Sequence, residues 1–150
     1  MFGSTIPAMD VSELRKRILY ALDEARRDAS GGREVRDEAA FAWERFRDRL
    51  AVPLVRQAAV VLRAEGHLFS VATPADSVTL VSDRSPTTFL EFVLDTTRAR
   101  PQVLGRVSVD RGDEGQLVEE RHLAPDKPVA EIVENDLAAF LVTEIPKLVN

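Results

Sequence analysis

The chain has 150 residues, no cysteine, two histidines and a formal net charge of −5. At this length a single domain over 1–150 is expected, and it can bury enough surface to fold without a disulfide or a structural metal. The absence of cysteine excludes disulfides, zinc–thiolate centres, iron–sulfur clusters and thiol nucleophiles. A charged fraction of 30% beside a hydrophobic fraction of 45% is typical of a globular protein, not of a disordered or membrane protein.

Residues 1–9 carry no basic segment followed by an apolar core, so they do not resemble a signal peptide. We expect this segment to be disordered. No run of the chain approaches the roughly 20 apolar residues that a membrane-spanning helix needs. The sequence therefore predicts a soluble cytoplasmic protein without a membrane partner.

The first predicted helix covers residues 11–29. Asp10 stands where a helix N-cap is expected, and apolar residues recur at helical spacing from Leu14 to Ala25. Glycine accepts the left-handed backbone that ends many helices. The Ser-Gly-Gly segment at 30–32 therefore predicts the end of this helix.

The second predicted helix covers residues 34–65 and ends at Gly66. Pro53 lies inside it and removes one backbone donor, so we expect a kink or two abutting helices at that point. Because the connection at 30–32 is short, the two helices are expected to form an antiparallel hairpin over residues 10–66.

Between residues 67 and 124 the hydrophobic period changes from about 3.6 to about 2, which predicts strands. The five expected strands are 67–73, 77–82, 87–97, 102–110 and 116–124. Short turns between successive strands predict an antiparallel meander. An extended segment and an amphipathic helix capped by Asn135 are expected over 125–150. The predicted fold class is α+β: the helical hairpin packs on the meander sheet, and a C-terminal helix follows.

Pairing the strands about their turns predicts which residues share the inner face of the sheet. The expected pairs are Val78–Phe92, Leu80–Leu90, Leu90–Val107, Phe92–Gly105 and Leu94–Val103. All of these residues are apolar except the glycine, which an aromatic ring is expected to cover. This inner face is expected to pack on the helical hairpin.

The opposite face combines a ladder of charges with apolar side chains. Thr79, Glu91, Arg106 and Glu120 are expected in line across the strands. We name a surface of seven residues the outer face: Val81, Phe89, Glu91, Val93, Leu104, Arg106 and Val118. A solvated face should be mostly polar, so this one needs a cover. The terminal helix, a second subunit and a small ligand are the candidates, and a twofold dimer is favoured.

The second helix is apolar around nearly its whole circumference between residues 52 and 62, which is typical of a helix buried on all sides. The sheet and the first helix account for two sides. The third side faces either another subunit or the terminal helix, and the sequence leaves both open. The candidate contact residues are Val52, Val55, Ala59 and Leu62.

Candidate chemistry is sparse. His67 and His122 fall on the first and fifth strands, too far apart for a shared metal site, so each is interpreted as a partly exposed strand histidine. Glu91 and Asp95 share a strand face, where an ion-pair ladder with Arg106 is favoured over acid–base catalysis. No residue set indicates a cofactor, a metal or a reaction.

A ridge of arginines on the second helix offers a phosphate-binding surface. It comprises Arg45, Arg49, Arg56 and Arg63. Interleaved carboxylates, the acidic chain and the lack of flanking aromatics argue against nucleic acid. The leading hypothesis is a non-enzymatic protein that acts through protein–protein contacts as a homodimer. The alternative is a small-molecule-binding module that uses the outer face, and the third is an enzyme of unknown class.

Overall fold

The computed structural model describes residues 10–150, so the predicted disorder of residues 1–9 lies outside the described residues. The described chain combines helices with one five-stranded antiparallel sheet, which confirms the α+β class. The chain divides into two compact units, with the boundary between Glu34 and Val35.

The first helix, α1, spans Val11–Phe46. Asp10 caps it as predicted, because its carboxylate accepts a hydrogen bond from the Ser12 N–H at 3.3 Å. The helix does not end at residues 30–32, and the predicted helical hairpin is not confirmed. Glycine permits a left-handed backbone without requiring it, and Gly31 keeps a helical conformation here.

A π-helical turn, Arg47–Ala51, follows α1 and leads directly into α2, Val52–Ala64. The predicted disturbance at Pro53 is thus found as a widened turn just before the proline. Proline lacks an N–H and its ring displaces the carbonyl four residues earlier, so the regular hydrogen-bond ladder cannot pass through this point. Gly66, with φ of +88°, lies directly after this helix as expected.

The sheet is an antiparallel meander with strand order β1-β2-β3-β4-β5. Its strands are β1 Phe69–Ala72, β2 Val78–Ser82, β3 Phe89–Asp95, β4 Gln102–Asp110 and β5 Gln116–His122. The register agrees with the predicted pairs at each of the positions named above. The edge strand β5 is exposed along nearly its whole length, whereas the edge strand β1 has only four residues.

The terminal helix, α3, spans Glu134–Val149. The predicted cap at Asn135 is wrong, because the N-cap is Val133 and Asn135 lies in the first turn. The Asp136 carboxylate accepts a hydrogen bond from the Val133 N–H at 3.0 Å and forms an ion pair with Lys127 at 2.8 Å. The segment before α3 contains turns and a short 3-10 helix, Val129–Glu131, where an extended segment was expected.

The inner face of the sheet is covered by α2 and α3. Phe140 of α3 lies against Phe92, with 5.3 Å between the ring centroids. A Cβ added at Gly105 would lie 2.8 Å from the Cε1 atom of the Phe140 ring, so the glycine makes room for that ring. Val55 and Leu62 of α2 belong to the same buried core. The predicted cover for this face was a hairpin of the first two helices; α2 and α3 provide it instead.

Candidate functional site

The outer face is the candidate functional site, and the register places its seven residues on one side of the sheet. Val81 pairs with Phe89, and Val93 pairs with Leu104. These four side chains are partly exposed, and Val118 on β5 is 48% exposed. Both α2 and α3 lie on the inner face, so the terminal helix does not provide the cover that the sequence left open for the outer face.

The predicted charge ladder crosses the middle of the outer face. The Arg106 guanidinium lies 3.2 Å from a Glu91 carboxylate oxygen and 2.8 Å from a Glu120 carboxylate oxygen. The Thr79 hydroxyl donates to the other Glu91 oxygen at 3.4 Å. One arginine therefore bridges two carboxylates from neighbouring strands, and the ladder satisfies much of its own hydrogen-bonding capacity.

Asp95 and His122 meet at one end of the outer face. The His122 Nε2 donates to the Asp95 carboxylate at 2.9 Å, and both side chains are mostly buried, 15% and 12% exposed. Thr97 adds bonds from its N–H at 2.9 Å and from its hydroxyl at 2.6 Å. The bond from His122, followed by those from Thr97, lowers the pKa of Asp95 to about 2.

This pair was not predicted from the sequence, although the strand register implies it. Asp95 pairs with Gln102 on β4, and His122 pairs with Leu104 on the same strand. The two side chains are therefore on one face and a diagonal step apart. His67 lies in the loop before β1 rather than on the strand, as β1 begins at Phe69.

The β2–β3 loop closes the other end of the outer face. Ser108 of β4 is fully buried, and its hydroxyl donates to the Thr87 carbonyl at 2.6 Å. Gln116 donates a further hydrogen bond to the Ser108 hydroxyl. Polar contacts thus border the outer face at both ends, and the charge ladder separates its apolar residues in the middle.

The four helical contact residues proposed from the sequence do not form one exposed surface. Val55 and Leu62 are 0% and 7% exposed and belong to the core of their own chain. Val52 and Ala59 are partly buried. The outward apolar side chains of α2 are instead Val60 and Val61. Because α2 is apolar all round, its sequence does not show which side meets the sheet.

A groove separates α2 from α3 and shows that the terminal helix lies beside α2, one of the two alternatives left open. The groove has a volume of about 380 Å³. Its apolar lining comprises Leu54, Ala58, Val61, Leu62, Ala138, Leu141, Val142 and Ile145. Val61 of α2 and Val142 of α3, on opposite sides of the groove, are 63% and 75% exposed.

A cavity of about 540 Å³ lies where the outer face meets the β1–β2 turn. Its lining includes Glu91 and Val93 of the outer face, together with Trp43, Glu44 and Asp76. The Trp43 indole N–H donates to the Asp76 carbonyl at 2.9 Å, which anchors the wall of the cavity. Of the three carboxylates around the opening, Glu91 is paired with Arg106 at 3.2 Å and Asp76 with Arg47 at 3.4 Å.

A buried carboxylate lies on the inner side of β5. Glu144 of α3 is 3% exposed, and Arg121 and Lys147 reach its two oxygens at 2.8 and 2.9 Å. Burial acts to raise the pKa of Glu144, but the bonds from Lys147 and Arg121 outweigh it and lower that pKa. The Arg121 guanidinium also lies 4.1 Å from the centre of the Phe140 ring. This cluster fastens α3 to the edge of the sheet.

The proposed arginine ridge is divided by the π-helical turn. Arg45 belongs to α1 and lies over the Phe41 ring at 5.8 Å, whereas Arg63 belongs to α2 and pairs with Asp83 at 3.7 Å. Besides the acidic residues interleaved with the arginines, the ridge thus has a further carboxylate beside it, that of Asp83 directly after β2. Nothing in these contacts builds a dedicated phosphate site.

No protein-family model, curated protein or solved structure matches the chain. Among residues 10–150, no helix is both long enough and apolar enough to cross a bilayer.

Proposed function

We propose that this protein acts through protein–protein contacts, as a homodimer in which the outer faces of two copies pack against each other. The observation that supports the proposal is that helices cover only one face of the sheet. Both α2 and α3 lie on the inner face, and apolar side chains of β2–β5 remain partly exposed on the other. A second copy is the simplest cover, because one patch can serve both partners of a twofold contact.

The chemistry of the outer face suits such a contact. Two sheets pack face to face about 10 Å apart when their inner side chains are apolar. The polar groups in this patch are already paired, since Arg106 contacts both Glu91 and Glu120. Burying a satisfied network costs less than burying a lone charge. A cytoplasmic location and a non-enzymatic role belong to the same proposal.

The test is the mass of the full chain in solution and its response to Phe89→Glu. This substitution adds a charge among the apolar residues of the outer face and should halve the mass measured by sedimentation at micromolar concentration. Val142→Glu is the matched control, because Val142 lies on α3 and is 75% exposed. An unchanged mass for Phe89→Glu, with retained circular dichroism, would falsify the dimer through this face.

A second candidate, a small-molecule-binding site, is favoured by the cavity beside the outer face. Its volume of about 540 Å³ lies within the range of ordinary ligand sites. Glu44 is exposed and offers a negative charge at the opening, so a small organic cation is the matching ligand class.

Aliphatic diamines are suitable probes for this cavity. Calorimetric titration of the full chain should show saturable binding that Glu44→Gln weakens at least fivefold. Glu38→Gln, on α1 but outside this cavity, is the control. Equal affinity for both variants would assign any binding to general charge attraction and remove this candidate.

A further inference from the structure

A stripe of apolar and small side chains runs along the N-terminal part of α1. We name the following residues the N-terminal stripe: Val11, Leu14, Ile18, Leu22, Ala25, Ala29 and Gly32. They recur at intervals of three or four residues and therefore share one side of the helix. Leu14, Ile18 and Leu22 are 47%, 50% and 47% exposed. These are large exposed fractions for residues that repeat on one side of a helix.

The length and composition of this part of α1 call for a partner. An isolated helix is marginal in water, and most helices in proteins are stabilised by packing an apolar side. Gly31 and Gly32 lower the helix propensity further. A helix that continues through these glycines with an exposed apolar stripe is therefore expected to be supported from outside its own compact unit.

Charges flank the N-terminal stripe in an ordered way. At 100° per residue, Asp10 and Asp28 lie on one flank of the stripe together with Arg17, and Arg15, Arg26 and Arg33 lie on the other. Arg15 and Arg33 each follow their acidic counterpart by five residues. When two parallel helices pair in register, the flanking residues that meet across the contact are five positions apart along the chain. The spacing therefore matches acid to base between two copies of this helix.

The stripe also has a favourable size pattern for self-pairing. Its first half carries Leu14 and Ile18, and its second half carries Ala25, Ala29 and Gly32. In a parallel pair in register, large residues meet large residues and small meet small, so the helices approach most closely near Ala29. In an antiparallel pair, the Asp28 flank would meet its own copy, and the acid-to-base match would be lost.

We propose that α1 pairs with α1 of a second copy, parallel and in register, through the N-terminal stripe. The contact is independent of the outer face, because it uses the unit that ends at Glu34 rather than the sheet. Two distinct twofold contacts on one chain build an assembly larger than a dimer.

A single introduced cysteine tests the orientation, since the natural chain has none. Ala25→Cys lies on the stripe, and in a parallel pair the two thiols face each other. Mild oxidation of the full chain should convert most of it to a covalent dimer. Tyr20→Cys, on the opposite side of the helix and 64% exposed, is the control and should crosslink at least tenfold more slowly. Equal rates for the two variants would overturn the pairing.

Combining variants separates the two proposed contacts. Ile18→Glu and Phe89→Glu should each lower the sedimentation mass, and the double variant should be a monomer. If Ile18→Glu leaves the mass unchanged while Phe89→Glu halves it, the helix pairing is wrong and the sheet dimer stands. The reverse result removes the sheet dimer and keeps the helix pairing.

A charge exchange distinguishes a lost contact between two helices from unfolding of the helix itself. Arg33→Asp should weaken association at least fivefold by placing like charges together, and adding Asp28→Arg should restore it. Circular dichroism should stay the same for the two variants. Failure of the second substitution to restore association would contradict the parallel register.

Discussion

The inner and outer faces of the sheet are built from the same strands, yet they differ in what covers them. Leu90 and Phe92 on the inner face are fully buried, whereas their neighbours Phe89 and Val93 on the outer face stay partly exposed. The alternation of a strand decides which side a residue faces, and the tertiary structure decides whether that side is dry. Strands with apolar residues on both faces are typical of sheets covered twice.

Adjacent residues on β3 give the sharpest contrast between the faces. Leu90→Ala should reduce the free energy of unfolding by about 2–5 kcal/mol, because it leaves a cavity in the core. Phe89→Ala should cost less than about 1.5 kcal/mol in dilute, monomeric protein, since water can fill the space on an open face. Urea unfolding at low protein concentration measures both. Equal losses would mean that the outer face is buried within the single chain.

The next largest effect is expected at Gly105 on the inner face. Gly105→Ala would force its new Cβ into the Phe140 ring and should cost about 1–3 kcal/mol of unfolding free energy. Adding Phe140→Leu should recover part of that loss by making room. Thermal unfolding of the three variants checks this. A neutral Gly105→Ala would show that α3 lies farther from the sheet than the ring contact requires.

Removing one arginine from each face compares the contributions of the two charge networks to stability. Arg121→Ala removes one of two cations from the buried Glu144 and should cost about 1–2 kcal/mol. Arg106→Ala breaks the ladder on the outer face, where the partners are better hydrated, and should cost about 1 kcal/mol or less. Urea unfolding of both variants at neutral pH decides the order. A larger loss for Arg106→Ala than for Arg121→Ala would mean that the ladder is the less hydrated of the two networks.

The smallest expected effect is the response of the outer face to acid. The pKa of Asp95 is lowered from 3.8 to about 2, so its contribution to stability is present above pH 3.8 and is lost as the pH falls through about 2. Asp95→Asn should remove this part of the pH dependence, and Asp113→Asn on the β4–β5 loop should not. Identical acid profiles for wild type and Asp95→Asn would contradict the contact with His122.

The sheet could be predicted closely because its residues obey two simple constraints. Turn residues between the strands set the register, and period-2 alternation then fixes which residues face inward, as with Phe92 opposite Gly105. The charge ladder followed from the same register. Strand ends were predicted one or two residues too long; at His67, for example, the backbone N–H donates to the Leu62 carbonyl of α2 at 2.8 Å.

The helices were harder to predict because their signals have two meanings. The glycine pair at 31–32 is compatible with a turn or with a continuous helix, and only the surrounding chain decides. An all-round apolar segment does not show which side meets the sheet, so Val55 and Leu62 were assigned to a contact instead of the core. The Asp95–His122 pair becomes visible only when the register is followed from β3 through β4 to β5.

The two edge strands have a consequence for how such molecules can aggregate. An exposed edge offers unpaired amides and carbonyls that can template further strands into fibrils. Here β1 is short, and the second half of β5 carries three consecutive charged residues, Glu119, Glu120 and Arg121. Both devices oppose open-ended growth along the hydrogen-bonding direction. A crowded solution of this protein is therefore expected to form closed particles and to resist fibrils.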